Sequence, residues 1–486
     1  MNDLLTLFKR KLNTQAPTSP DNRPTIARPL GKMEYSAWIF DQASPFNIGA
    51  AVDIHGNVTE DALAQVLRWC QIRYPMLRSI LRQEHQKLYF ACYEPAEAPV
   101  IPIEMCSSTE ENRDRIATEE LRRPFDGYHE LMIRVKLVRF SEDYCSVFVT
   151  FQHLIGDGFS HANLLVDIVN LLGTVSSGDS LPSPEPLPFP PMLEDGMASR
   201  FKGIKGLLQL VSCQSKVMGQ LNQLGDMPAP LRNDADVPFA ERRPIVETFT
   251  FNAAETASLI AYAKQEQVTL YALLIAITMD VIHPLLAESP KQKDTTERVI
   301  TMPMPINLRP FLSIPKNDFG LFSSTVDVVR KLTDKKNIPE MAKDIRREIK
   351  SAMKKDSPRL FVMPTIAAIM DWKLFFPKGS KGVDRAARFI VSMAKYSSTS
   401  LTFLNLQKMS TKTGNFTVTN ARGYVAPSIL GTALFSAVLF EDLLNIHLSY
   451  NEKQFSSKDA ALLKHRFKTT ALAVAKGNNT MAQSTA

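Results

Sequence analysis

YCSVFVTFQHLIGDGFSHAN, residues 144–163, runs from β-forming residues through a turn into a helical pattern. Cys145 to Phe151 has the composition of a strand, and Gly156 and Gly158 bracket Asp157 before the helix begins. Side chains alternate across a strand, so His153 shares a face with Cys145, Val147, Val149 and Phe151. Its imidazole should emerge from a mostly apolar wall where the chain turns. A neutral imidazole there, with an ordinary pKa of about 6.5, suits the abstraction of a proton.

Working outward, Leu131–Phe140 reads as a second strand, separated from the first by only Ser141-Glu142-Asp143, a hairpin-length link that predicts antiparallel pairing. Ile48–Ile54 is a third, followed by a helix capped by Thr59 with Leu63, Val66, Leu67 and Cys70 inward. The helix starting near Ser160 turns Leu164, Leu165, Ile168, Val169 and Leu172 to one side. Further on, strand Ile245–Phe251, helix Ala254–Ala263 and a helix capped by Thr269 repeat that order. Residues 330–355 read as a charged helix with Ile338, Met341, Ile345 and Ile349 inward. Phe361–Ser397, with Trp372, Phe375, Phe376 and Phe389, reads as core helices, although walls of a lipophilic tunnel or a membrane-facing rim have the same composition.

At 486 residues and 44% hydrophobic content, the chain is long enough for two or three domains with large cores. The net charge of +7 is spread along the sequence and accompanies no nucleic-acid-binding motif, so nucleic acid is not an expected partner. Cys70, Cys92, Cys106, Cys145 and Cys213 show no paired or metal-ligand spacing and read as reduced thiols, which points to the cytoplasm. The histidines other than His153 likewise lack metal-ligand spacing, so no metal is expected. MNDLLTLFKRKLN lacks the pattern of a signal peptide, and no window reaches the length of about 18 apolar residues that a membrane span needs.

The pattern His153-x-x-x-Asp157-Gly158 resembles the signature of the condensation-domain superfamily of acyltransferases, which includes chloramphenicol acetyltransferase, polyketide-associated acyltransferases and wax ester synthases. Tyr74-Pro75-Met76-Leu77-Arg78, Arg123-Pro124-Phe125-Asp126-Gly127, Asn307-Leu308-Arg309, Phe319-Gly320 and Thr419-Asn420-Ala421-Arg422-Gly423 extend the resemblance over about residues 28–470. It implies an α/β fold of two chloramphenicol-acetyltransferase-like lobes, each a mixed sheet flanked by helices, with an active-site tunnel between them. The expected divisions are a flexible segment 1–27, an N-terminal lobe 28–187, a linker and amphipathic insertion 188–243, a C-terminal lobe 244–475 and a flexible tail 476–486.

The resemblance also implies the chemistry. His153 is the base, and the acyl donor is a thioester on coenzyme A or a phosphopantetheinyl carrier protein, with no bound cofactor. The acceptor is a hydroxyl or amine. The residues themselves add that at least one substrate is lipophilic, since the apolar and basic stretches Ser199–Gly225 and Phe361–Ser397, with the cationic Leu4–Lys11, exceed what two small substrates require. Two alternatives stand beside this reading: a stand-alone enzyme forming an amide between carrier-bound substrates, and a catalytically silent binding relative. A four-residue spacing across a tight turn points Asp157 away from His153, and by resemblance it forms an ion pair with Arg309. Gly158 is expected to need unusual backbone angles or a close approach. Ser323, Ser324 and Asn420 are candidates for a hydrogen bond to the developing oxyanion. Gln152 departs from the pattern, since many family members carry a second histidine there.

In Ser199–Gly225, Phe201, Ile204, Leu208, Val211, Met218 and Leu221 recur at helical spacing among Lys202, Lys205 and Lys216. A helix on the protein's own surface is the first reading. Peripheral contact with a membrane, shared with the cationic stretch Leu4–Lys11, is the second.

Overall fold

Strand Tyr144–Gln152 lies inside a six-stranded sheet, which is why every residue after Tyr144 is buried. Ile133–Arg139 and Asn47–His55 pair with it antiparallel on either side, so the hairpin read from the short link is present. Ile103–Ser107 adds a parallel edge and makes the sheet mixed. The computed structural model describes residues 23–477 apart from 86, 234, 288–296, 334–336, 355–356, 370–379, 395–397 and 430.

The other flank of this sheet comes from far along the chain. Phe416–Val425 pairs antiparallel with Asn47–His55, and Lys412–Thr413 completes the order. A division at 187 and 244 therefore does not divide the sheets. β-forming residues specify a strand without specifying its partner, and the edge of Asn47–His55 needs one to satisfy its backbone groups.

A four-stranded sheet organises the second half in the order Leu401–Asn405, Ala433–Phe440, Leu443–Asn451, Pro244–Phe251. Its first pair is parallel and the others are antiparallel. Helix Leu270–Ile282 is buried from Ala272 onward and centres the second core. Thr59 and Thr269 each accept a backbone N–H three residues ahead, as caps do. Away from the turn, the halves are stitched where Asp114 Oδ2 accepts from Thr248 N at 2.7 Å and Thr118 Oγ1 from Val246 N at 3.0 Å.

Two expectations shift. Thr25–Pro29, partly inside the segment read as flexible, pairs with Lys87–Cys92. The Arg28 guanidinium grips Glu34 with two 2.7 Å bonds and lies over the Phe90 ring, an anchor that polar composition conceals. Ser323–Leu332 is strand throughout, so the helix read over 330–355 begins only at Ile338, behind the cap Asn337 and with proline in its first turn. Phe361–Ser397 supplies helices Val362–Ile369 and Ser380–Ala394, while Trp372, Phe375 and Phe376 lie outside the described residues, as do Leu4–Lys11 and 478–486.

Candidate active site

Past Gln152 the chain leaves the sheet, yet the His153 backbone N–H still donates to Phe46 O at 2.9 Å. The ring stacks on Phe46 with centroids 4.6 Å apart, and its Nδ1 lies 2.9 Å from Gly156 O. A carbonyl can only accept, so Nδ1 carries the proton and Nε2 keeps its lone pair. Burial holds the imidazole below its ordinary 6.5, opposed by the Asp157 charge and the Gly156 carbonyl. Desolvation prevails, so the neutral, basic form persists into mildly acidic solution.

Asp157 does not touch that ring. Its Oδ1 accepts from Ser160 N at 2.9 Å, capping the helix Gly158–Ser176. Its Oδ2 accepts from Arg309 Nη1 and from Phe322 N, both at 2.9 Å. Arg309 is wholly buried, and its remaining N–H groups go to Asn307 Oδ1, Ser160 Oγ and the carbonyls of Asp318 and Gly320. Every donor of the guanidinium is therefore met, the condition under which a buried charge is tolerable.

Between the two large sheets, with His153 in its wall, lies a cavity of about 150 Å³. Ile48, Leu165, Ile306, Phe403, Leu404 and Phe435 make it mostly apolar, and Ser323, Ser400, Thr402 and Ser436 supply hydroxyls. Asp157 and Arg422 also border it, but Asp157 is consumed as described and Arg422 is paired with Asp53. Among the described residues, no group of three His, Cys, Asp or Glu is placed to hold a metal ion.

A family model, the Condensation domain, matches residues 33–359. The chain belongs to the condensation-domain family. Among curated relatives, phosphinothricin tripeptide synthetase PhsC of Streptomyces viridochromogenes is 23% identical over 371 residues, 71% of this chain and 32% of that protein. The chain thus spans about a third of that relative's length. Among solved structures, the first condensation domain of the calcium-dependent antibiotic synthetase, in complex with a substrate analogue, is similar with a TM-score of 0.68 at 13% identity, covering 94% of this chain and 99% of that one. The starter condensation domain of rhizomide synthetase RzmA, in complex with C8-CoA, gives 0.64 at 12% identity, covering 95% and 98%. The architecture is the chloramphenicol-acetyltransferase-like one.

Within this condensation-domain site, three sequence expectations are corrected. Gly158 has no left-handed backbone, and a Cβ there would meet only Leu404 at 3.6 Å, an ordinary contact. The glycine the turn requires is Gly156, where a Cβ would fall 2.9 Å from Phe319 and 3.1 Å from Phe151 and Ser160. Gly156→Ala is expected to cost roughly 1–3 kcal/mol by overpacking. Gly158→Ala should stay within about 0.5 kcal/mol, and denaturant melts of the two variants check the order. Asn420 is the second correction: it does not line the cavity, and its Oδ1 accepts from Ala421 N at 2.8 Å and from Asn445 Nδ2 at 2.6 Å, so the side chain joins the sheets. Ser324 is the third, since strand alternation turns it away while Ser323 lines the cavity.

Two residues escaped the sequence reading. Ser160 Oγ contacts Asp157, Arg309 and both backbone groups of Gly320, and its place three residues after a capping aspartate was the available signal. His161, which the sequence marked only as lacking metal-ligand spacing, is buried against Phe151 and borders the cavity. Its Nε2 has no partner, and burial pushes its pKa down to about 3, so it stays neutral. It stands one helical turn after Asp157, on the same face.

Proposed function

We propose that this chain transfers an acyl group from a thioester, carried by coenzyme A or a phosphopantetheinyl carrier protein, to an amine or hydroxyl, with His153 as general base. The observation that carries the reading is the 2.9 Å approach of His153 Nδ1 to Gly156 O in a residue that lines the cavity: a carbonyl only accepts, so Nδ1 holds the proton and Nε2 is the atom left to take one. The acceptor's N–H or O–H gives its proton to Nε2 as the nucleophile attacks the thioester carbonyl. The C–S bond then breaks, and the thiolate leaves with the proton returned from Nε2. Ser323, at the cavity wall, is the residue we assign to the developing oxyanion, and Asp157 and Arg309 hold the turn without entering the chemistry.

Condensation domains are transferases that form amide bonds, and the curated relative is a peptide synthetase, which favours an amine acceptor over a hydroxyl. A neighbour holds C8-CoA, which supports coenzyme A as one donor form. Among the described residues, the cavity offers a substrate neither a free carboxylate nor a free guanidinium, and its wall is largely apolar. An apolar acyl or aryl group therefore fits better than a charged side chain. A void of this size holds about one benzene ring, so a longer chain must extend through its open side or spread the wall.

The test is incubation with acyl-CoA and acyl-carrier-protein donors of increasing chain length, paired with amines and alcohols, with products read by mass spectrometry. Affinity should rise with each buried methylene, worth about 0.8 kcal/mol, and then level off. The absence of product from every thioester and acceptor class would leave the silent, binding relative as the better reading.

A further inference from the structure

Helix Gly203–Leu224 carries apolar residues on two opposite faces, and the fold uses only one of them. Gly206, Cys213 and Leu221 point inward and are buried, and Leu221, Val217 and Leu224 pack on Val299 and Val329. On the far side Ile204, Leu208 and Val211 are 79%, 65% and 55% exposed, and Leu207 and Met218 are exposed beside them. At 100° per residue these five fall within an arc of about 100°, the width of an interfacial stripe. A helix that merely covers its own protein has no use for such a ridge.

The helix's own charge is of one sign. The helix contains no Asp or Glu, its only charged residues are Lys205 and Lys216, and both are exposed and lie about three turns apart along one flank of the stripe. Lys202 stands just before the helix, and the whole chain carries +7. Apolar residues beside lysines, on a helix with no acidic side chain of its own to repel phosphate, match the outer layer of an anionic bilayer, into which the aliphatic groups sink while the lysines meet headgroups.

We infer that the outward face of Gly203–Leu224 docks the protein on anionic lipid membranes. None of its ridge residues borders the cavity at His153, so the surface is separate from the proposed chemistry and does not depend on it.

The experiment is flotation of the full chain with phosphatidylcholine vesicles, with and without phosphatidylglycerol, at low and high salt. The protein should float with the anionic vesicles at low salt and be released as the screening length shrinks. The triple variant Ile204→Ser, Leu208→Ser, Val211→Ser should abolish flotation, and Lys205→Gln and Lys216→Gln should each weaken it about fivefold. Both sets replace exposed side chains and should melt like wild type. Leu4–Lys11 is present in every variant, so a loss is attributable to the helix. Flotation that survives the triple variant overturns the inference, as does its absence from wild type. A wild-type dimer that the triple variant splits would assign the ridge to a second copy of the chain instead.

Discussion

His153→Ala is expected to lower acyl-transfer turnover by about 10²- to 10⁴-fold, the usual contribution of a general base, with a much smaller change in KM. The variant should remain folded. The strand behind it is held by ladder bonds on both sides, the backbone N–H of residue 153 keeps its bond to Phe46 O, and Asp157 and Arg309 stay paired. What is lost is the ring stacked on Phe46 and its single bond to Gly156 O. Thiol release under saturating donor, set beside a thermal melt, separates chemistry from folding. A folded variant with near-normal turnover would contradict the assignment of the base.

Asp157→Ala and Arg309→Ala should each destabilise the protein by about 3–5 kcal/mol, because either one strands a buried charge. Arg309 has the more to lose, being wholly buried with partners in both halves of the chain: Asp157 and Ser160 on one side, Asn307 and the backbone of Asp318 and Gly320 on the other. Asp157→Ala additionally removes the cap on Gly158–Ser176, worth about 1 kcal/mol. In a double-mutant cycle the two losses should fall well short of additive, since the second substitution removes the charge that the first left unpaired. Simple additivity in denaturant melts would mean that the pair is not coupled.

Local patterns carried much of the fold. Alternation from Cys145 to Phe151, the short link before it and the caps Thr59 and Thr269 each report on neighbours in sequence, and the structure has them in place. Sheet membership is a different matter. Thr417–Gly423, which by resemblance reads as a turn, lies inside the strand Phe416–Val425, and nothing local says that this strand pairs with Asn47–His55 rather than with its neighbours in sequence. Contact between sheets likewise hid the role of Asn420, which meets Asn445 on the neighbouring sheet. At the turn, the sequence marked two glycines, but which of them is crowded depends on Phe319, more than 150 positions away. His161 had no motif to flag it, because its significance lies in the cavity it borders.

The account's central claim is that a single neutral imidazole, His153, takes the acceptor's proton. Its most direct test is the pH dependence of kcat/KM in the wild type, measured with an acceptor that does not itself titrate between about pH 4 and pH 8, since that profile reports the free enzyme's base. Burial lowers the folded pKa, so the account predicts that activity holds as pH falls past 6.5 and declines only below it, along one acid limb that is absent from the residual activity of His153→Ala. An acid limb centred above 6.5, or one that persists unchanged in His153→Ala, would contradict it.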